Sequence, residues 1–351
     1  MEIRKPKFGI VGCGNIARFH CNGLEKAGAA IVHLADINEK AAQGYVEKFG
    51  ARFSNDYRDL LDDPEVTVVS VLTNSKYHKE ICLEALKSGK DVICEKTMMD
   101  NAREAEEVVK ALPASGRLFF TAFMKRFFPA AQKARELLPS LGRLFSAQVR
   151  SYQMWGNFYE LENDRGYEWI LNNYGGGVVK CAGSHMLDMT MSLLGRPQSI
   201  YAHIDYVPHS KLDRKAAALF EYENGLAVNF ETAVHPLKRI GYERNSWDEF
   251  IQINGVKGRL ELYTVMWDYP ENNAALLVHY DNEKETATEY RFDIVNPFDI
   301  EMKYFCECLE KREQGAPTAV DGFNVDKVIE TMFESSLQKA AVTIDWRGIK
   351  E

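Results

Sequence analysis

Lys96 follows the apolar run Asp91–Cys94 almost directly, and His185 lies four residues after Cys181 and three before Asp188. On a regular helix the last three side chains share one face and look into one cleft. An imidazole with an ordinary pKa of about 6.5 exchanges protons at neutral pH, and a lysine polarises an oxygen or relays a proton. Removing a hydride from a carbinol carbon needs such groups, because the hydroxyl proton must leave too. The plainer readings are a hydrogen-bonded helix histidine and a solvent-facing lysine. The second is disfavoured for Lys96, which stands at the carboxyl end of a buried strand, where open parallel sheets bind ligands. Asp188 has two readings, orienting His185 or making a structural contact.

A second group of residues suits a dinucleotide. Gly12-Cys13-Gly14-Asn15-Ile16-Ala17 has the form GxGxxA, follows the strand-like Phe8–Val11 and opens a helical pattern. Gly12 permits the tight turn, Gly14 admits backbone close to a pyrophosphate, and the small Ala17 lets helix and strand pack closely. The helix start, at Asn15 and Ile16, presents free N–H groups to the phosphates. Asp36 ends the second strand, where a carboxylate accepts hydrogen bonds from the adenosine ribose hydroxyls and repels a 2′-phosphate. Ile37 follows where an NADP enzyme more often has Arg or Ser. NAD is therefore expected in preference to NADP. The alternative for Asp36 is that it merely caps the next helix.

These residues need a scaffold, and the chain supplies one in two styles. Up to residue 123, strand-like runs at Phe8–Val11, Ile31–Ala35, Ala51–Phe53, Val66–Leu72, Asp91–Cys94 and Leu118–Ala122 alternate with helical runs. The helical runs are Ile16–Lys26, Glu39–Phe49, Lys76–Ser88 and Ala102–Leu112, with Asn38 and Asn101 at N-cap positions and Gly50 and Gly89 at helix ends. Such alternation predicts a doubly wound parallel sheet, an α/β Rossmann domain over 1–123.

From 124 to 351 the pattern becomes α+β. Arg143–Tyr152 reads as a long strand, and two hairpins turn at Glu223-Asn224-Gly225 and at Asn254–Gly258. Further strands are expected at Ser199–Tyr206, Ala275–His279 and Thr286–Phe292. Helices near Val178–Leu194, Asp299–Glu313 and Val325–Ala340 are expected to cover one face of a large open, mainly antiparallel sheet. Its other face, if apolar, predicts a homodimer or homotetramer formed through this domain.

Hydrophobic residues at 46% and charged residues at 27% are enough for two cores, and a net charge of -8 argues against nucleic-acid or anionic-membrane partners. No run approaches the roughly 18 apolar residues of a membrane span, and the first residues do not resemble a signal peptide. The seven cysteines form no CxxC pair and no zinc spacing, so reduced thiols in the cytoplasm and no bound metal are expected.

Two further segments are informative: Thr73-Asn74-Ser75-Lys76-Tyr77-His78 continuing to Glu95-Lys96-Thr97, and Gly175-Gly176-Gly177 continuing to Cys181, His185 and Asp188. With the Gly12 turn, and with Lys125-Arg126-Phe127, Gly142-Arg143 and Asn296-Pro297-Phe298 later, the chain resembles the Gfo/Idh/MocA oxidoreductases over nearly its whole length. The resemblance implies substrate bound between the two domains, and oxidation of a ring hydroxyl, or reduction of the ketone, of a sugar or cyclitol with NAD(P). It implies that Thr73, Asn74, His78, Glu95 and Lys96 join Gly12, Gly14, Asn15, Ile16 and Asp36 around the cofactor. Lys96 would face nicotinamide and substrate, with His185 as the family's late histidine.

Two residues depart from the family pattern. Cys181 stands where an aspartate or asparagine is usual, and a thiol is a weak hydrogen-bonding substitute. Lys180 would point about 100° away on a regular helix and so does not compensate. Thr97 stands where proline is usual. A cis bond before a non-proline costs about 2.5–4 kcal/mol, so a trans bond is expected.

Between Tyr152 and Tyr174, residues Trp155, Asn157, Tyr159, Asp164, Arg165, Tyr167 and Trp169 suit a sugar's faces and hydroxyls, or pack the loop onto the sheet. Tyr152, Trp155, Cys181, Asp188 and Arg126 are the substrate-binding candidates, with Lys125 and Arg165 as further anion-binding options. The reading is an NAD-dependent sugar or cyclitol dehydrogenase. The alternatives are an NAD-using glycosidase that oxidises and re-reduces its sugar, and a non-catalytic sensor that keeps the fold.

Overall fold

The computed structural model describes residues 5–156, 158, 170–171, 175–266 and 274–349. The expected sugar-facing residues Asn157, Tyr159, Asp164, Arg165, Tyr167 and Trp169 lie outside them. The chain divides into two units, residues 1–124 with 298–326 and 348–351, and residues 125–297 with 327–347. A single cut between 123 and 124 does not anticipate this return of the late chain to the first unit.

In the first unit, β1 (Lys7–Val11), β2 (Ala30–Ala35), β3 (Arg52–Ser54), β4 (Val68–Val71), β5 (Asp91–Glu95) and β6 (Phe119–Ala122) form a parallel sheet in the order β3-β2-β1-β4-β5-β6. Every residue of β4, β5 and β6 is buried, as continuous apolar strands covered on both faces must be. The helices between them are α1 (Ala17–Lys26), α2 (Glu39–Phe49), α3 (Tyr57–Asp62), α4 (His78–Lys87) and α5 (Ala102–Ser115). Asn101 caps α5 by accepting the Glu104 amide at 3.0 Å. Asn38 occupies the N-cap position of α2 but makes no side-chain cap bond. Strand order reverses between β1 and β4, and the carboxyl ends of these strands frame the crevice where such sheets hold ligands.

The expected helix at Asp299–Glu313 forms as α8 (Pro297–Lys311), after α6 (Pro129–Leu137) and α7 (Ser184–Leu194), but it belongs to the first unit. That corrects its expected place over the antiparallel sheet. The cause is local: a Cβ at Gly23 of α1 would lie 2.8 Å from Met302 and 2.9 Å from the Phe298 carbonyl oxygen. The bare glycine admits α8, and Phe298 stacks on Phe19 with ring centres 4.7 Å apart. Phe305 meets Phe120 at the same separation, and Arg312 pairs with Asp91.

The second unit is built on nine strands. They are β7 (Leu144–Gln153), β8 (Ser199–Tyr206), β9 (Asp213–Glu221), β10 (Ala227–Val234), β11 (Trp247–Gly255), β12 (Gly258–Thr264), β13 (Leu276–Asp281), β14 (Thr286–Arg291) and β15 (Val342–Thr343). Their order is β14-β13-β12-β11-β7-β10-β9-β8-β15, and β7 with β10 is the parallel pair in an otherwise antiparallel ladder. Both expected hairpins form, with Gly225 at φ 81° and the Asn224 side chain accepting the Leu226 amide. Burial alternates along β8 and β9, so one face is covered and the other open. Tyr201 and Leu219 are exposed aromatic or aliphatic side chains of these strands, on the open face.

The last helix, α9 (Ala319–Gln338), begins in the first unit and continues in the second. There the hydroxyls of Ser335 and Ser336 accept the amides of Ala202 and Ile204, both at 2.9 Å. No helix among the described residues is long and apolar enough to cross a membrane.

Candidate active site

The glycine turn has the conformation its residue types require. Gly12 sits at φ 95°, and a Cβ there would lie 2.9 Å from the Leu72 carbonyl group, so no larger residue fits. Gly14 faces open space, with nothing within 4 Å of where its Cβ would be. Gly14 and Asn15 are exposed, Ile16 is the N-cap of α1, and Ala17 is fully buried against the sheet. A turn with an open face at the start of a ten-residue helix suits a diphosphate.

Asp36 is fixed beside this turn. Its Oδ2 accepts the Cys13 amide at 2.7 Å and its Oδ1 accepts the Asn38 amide at 2.7 Å. The carboxylate thus ties the glycine turn to the end of β2 and to the residue that precedes α2. Ile37 beside it is 92% exposed. The residues present fit a dinucleotide.

Thr73 and Asn74 lie half-buried after β4, where the Asn74 side chain accepts the Lys76 amide at 3.2 Å. His78, expected at the cofactor, is fully enclosed and clamps two loops together. Its Nε2 lies 2.9 Å from the Thr73 carbonyl, and its Nδ1 lies 3.2 and 3.0 Å from the carbonyls of Thr97 and Met98. Burial pushes its pKa down, against the pull of those carbonyl groups.

The Lys96–Thr97 peptide bond is cis, which corrects the expected trans bond. Thr97 is buried, and His78 Nδ1 lies against the carbonyl oxygens of Thr97 and Met98. Lys96 itself is half-buried, and its amide donates to Glu95 Oε2 at 2.9 Å. Glu95 Oε1 meets His20 Nε2 at 3.0 Å. Burial would raise the Glu95 pKa, but the His20 and Lys96 contacts hold it below the ordinary glutamate value. His20 was not singled out from the sequence; its signal was a titratable residue inside an otherwise apolar helix face.

In the second unit the triple glycine leads into a π-helical turn at Val179–Gly183 that runs into α7. Asp213, at the start of β9, accepts the amides of Gly177 at 3.1 Å and Val179 at 2.8 Å. A Cβ on Gly177 would meet the Asp213 carbonyl and carboxylate oxygens at 2.3 Å. Burial raises the Asp213 pKa, while these amides and Lys180 oppose the rise. Asp213 is a second residue that sequence reasoning missed, because its partners lie 34 and 36 residues away.

The wider π turn removes the regular-helix geometry expected for Lys180 and Cys181. Lys180 folds back over Gly176. Cys181 is half-buried with its Sγ 3.9 Å from the Gly176 carbonyl oxygen. His185 and Asp188 are buried on α7, one turn apart. The Asp188 carboxylate accepts from Arg126 Nε at 2.8 Å and Nη2 at 2.5 Å, which gives Asp188 the structural contact that was one of its two readings. The same fork turns the guanidinium of Arg126, a substrate-binding candidate, to Asp188.

Lys125, a further anion-binding option, has a partner within the second unit. It is buried and paired with Glu249. Glu249 in turn accepts from Ser151 at 2.9 Å, Gln153 at 3.0 Å and Thr264 at 2.8 Å. Gln153 accepts from the Trp155 indole at 3.1 Å, so this polar chain holds the half-buried Trp155. Tyr152, half-buried on β7, lies 6.1 Å from the His235 ring. Among the described residues no group of three or more His, Cys, Asp or Glu could hold a metal, and none of the seven cysteines forms a disulfide.

The profile described as "Oxidoreductase family, NAD-binding Rossmann fold" matches residues 6–123, and that described as "Oxidoreductase family, C-terminal alpha/beta domain" matches 135–344. The chain belongs to the Gfo/Idh/MocA oxidoreductase family. Among members of this family, "Inositol 2-dehydrogenase 2" of Saccharopolyspora erythraea is 27% identical, over 93% of this chain and 92% of its own. "D-xylose 1-dehydrogenase (NADP(+)) 2" of Haloferax volcanii is 23% identical, over 96% and 99%. A solved levoglucosan dehydrogenase in complex with NADH and levoglucosan shares the fold, with a TM-score of 0.83 at 19% identity and coverage of 97% and 100%. The Gfo/Idh/MocA architecture, a Rossmann unit and a mixed, mostly antiparallel sheet, is thus present in full.

Proposed function

We propose that this oxidoreductase transfers a hydride between NAD(H) and a ring hydroxyl or ketone of a sugar, sugar derivative or cyclitol. The observation that carries the reading is the open glycine turn tied to Asp36 in the same unit that presents Lys96 at the end of β5. Nicotinamide supplies the hydride acceptor or donor when bound. Gly12, Gly14, Asn15 and Ile16 hold the diphosphate, and Asp36 accepts the ribose hydroxyls. A 2′-phosphate would meet the Asp36 carboxylate, which supports NAD over NADP.

Lys96 polarises the reacting oxygen, and His185 accepts or returns its proton. Trp155 and Tyr152 offer aromatic faces with polar neighbours to a carbohydrate. Cys181 sets which hydroxyl pattern is accepted. The exposed aromatic and aliphatic side chains on the open sheet face support a homodimer or homotetramer through that face, and the acidic composition with no disulfide among the cysteines supports the cytoplasm.

The test is absorbance of NADH on mixing the protein with NAD or NADP and a panel of aldoses, cyclitols and their phosphates. Turnover of at least one with NAD is expected. Sugar consumption without net NADH would replace this reading by the glycosidase, and dinucleotide binding without turnover would replace it by the sensor.

A further inference from the structure

We propose that His20 is a positioning residue for Lys96: through Glu95 it fixes the lysine's backbone to the helix that begins at the dinucleotide turn. The proposal rests on Lys96 acting in the reaction, as assigned above. His20 has no exposed surface, and Glu95 is 6% exposed. The two Glu95 oxygens are divided between them, Oε1 to His20 Nε2 at 3.0 Å and Oε2 to the Lys96 amide at 2.9 Å. An ionised carboxylate only accepts, so the ring nitrogen facing it carries the proton.

The ring has no second polar use. His20 Nδ1 is buried without a hydrogen-bond partner, and the ring's other close neighbour is Phe298, 6.2 Å between centres. Burying an imidazole with an idle nitrogen is unfavourable. An apolar residue would fill the space on α1 equally well, so packing does not explain a histidine here. What a histidine adds is one donor aimed at Glu95. That donor stops the carboxylate from rotating away from the Lys96 amide, and the amide bond in turn sets the direction in which the lysine leaves the backbone. His20 lies three residues after Ala17, on the helix whose first turn faces the diphosphate. One rigid element therefore sets the register of both the cofactor's phosphates and the lysine.

The test uses the full chain with His20→Leu, His20→Gln and Lys96→Ala. Gln reaches about as far as the imidazole Nε2 and keeps the donor, whereas Leu keeps only bulk. Lysines are reductively methylated with carbon-13, and the Lys96 resonance is assigned by its loss in Lys96→Ala. NADH affinity is read by fluorescence, and kcat and KM are read with myo-inositol, D-xylose or another panel sugar.

His20→Leu is expected to move the Lys96 resonance and lower kcat at least about tenfold, with KM and NADH affinity within about threefold of the parent; Gln should restore both. An unmoved resonance in His20→Leu overturns the proposal. So does loss of NADH binding together with turnover, which would make His20 a packing residue only. If Lys96→Ala keeps full turnover, the assigned role of Lys96 fails, while the resonance still decides whether His20 positions it.

Discussion

Asp213 accepts the amide of Val179 at 2.8 Å, so a strand start caps a helical turn 34 residues earlier in the chain. The same carboxylate takes the Gly177 amide, and the turn so anchored carries Cys181 and leads to His185. Replacing Asp213 with Ala leaves two amides without their acceptor, at about 1–3 kcal/mol each where no water replaces it. Asp213→Ala is expected to lower the urea midpoint and cut kcat, and Asp213→Asn to fall between it and the parent. Equal midpoints for all three proteins would show that the anchor contributes nothing.

Lys96→Ala is expected to lower turnover by at least about a hundredfold with NAD binding nearly intact. Calorimetric titration with NAD beside steady-state rates separates the two effects. Unchanged turnover removes Lys96 from the chemistry.

Asp36→Ser should raise NADP affinity relative to NAD by about tenfold or more, because the repelling charge is gone. It should also loosen the turn, since the Cys13 and Asn38 amides lose their acceptor. Fluorescence titrations with NADH and NADPH read the ratio. A ratio that does not move would place the ribose elsewhere.

The fully buried His78 has its pKa lowered by burial, so folding favours the neutral ring. The unfolded chain gains a proton first as pH falls through about 6.5, so stability is complete above that value and is lost below it. The slope from this one group approaches about 1.4 kcal/mol per pH unit. Urea midpoints measured between about pH 5 and 8 should decline on the acid side, and less so in His78→Gln. Parallel declines in the two proteins would assign the loss to other groups.

Cys181→Asp restores a strong acceptor and should raise activity on simple polyols or change which sugar is preferred. Identical rates across the substrate panel would mean that position 181 does not touch the substrate.

The dinucleotide turn was legible because its chemistry is local: Gly12 is required by its positive φ, Gly14 leaves one face of the turn open and Ala17 is buried, all within six residues. The parallel sheet was legible for a similar reason, since β4 to β6 are buried on both faces and the pattern says so. Partnership at long range was not. The amphipathic pattern of α8 shows that it packs, and not on which sheet; the bare Gly23 in α1 was the overlooked sign. The ion pairs of Arg126 and Lys125 were not foreseen because nothing near them in sequence announces Asp188 or Glu249. The π turn before His185 is set by Asp213 from afar, so a regular-helix projection misplaced Lys180.

The packing of α8 onto α1 bears on how the chain is made. A ribosome that has released residues 1–124 has released every strand of the parallel sheet, yet the groove at Gly23, with Phe19 and Phe120 beside it, still lacks its cover. That cover is synthesised only after strands β7 to β14 of the second sheet have emerged. Excising the first 124 residues as a free-standing nucleotide-binding module would therefore yield a sticky fragment, and a useful minimal version would have to splice α8 back onto it.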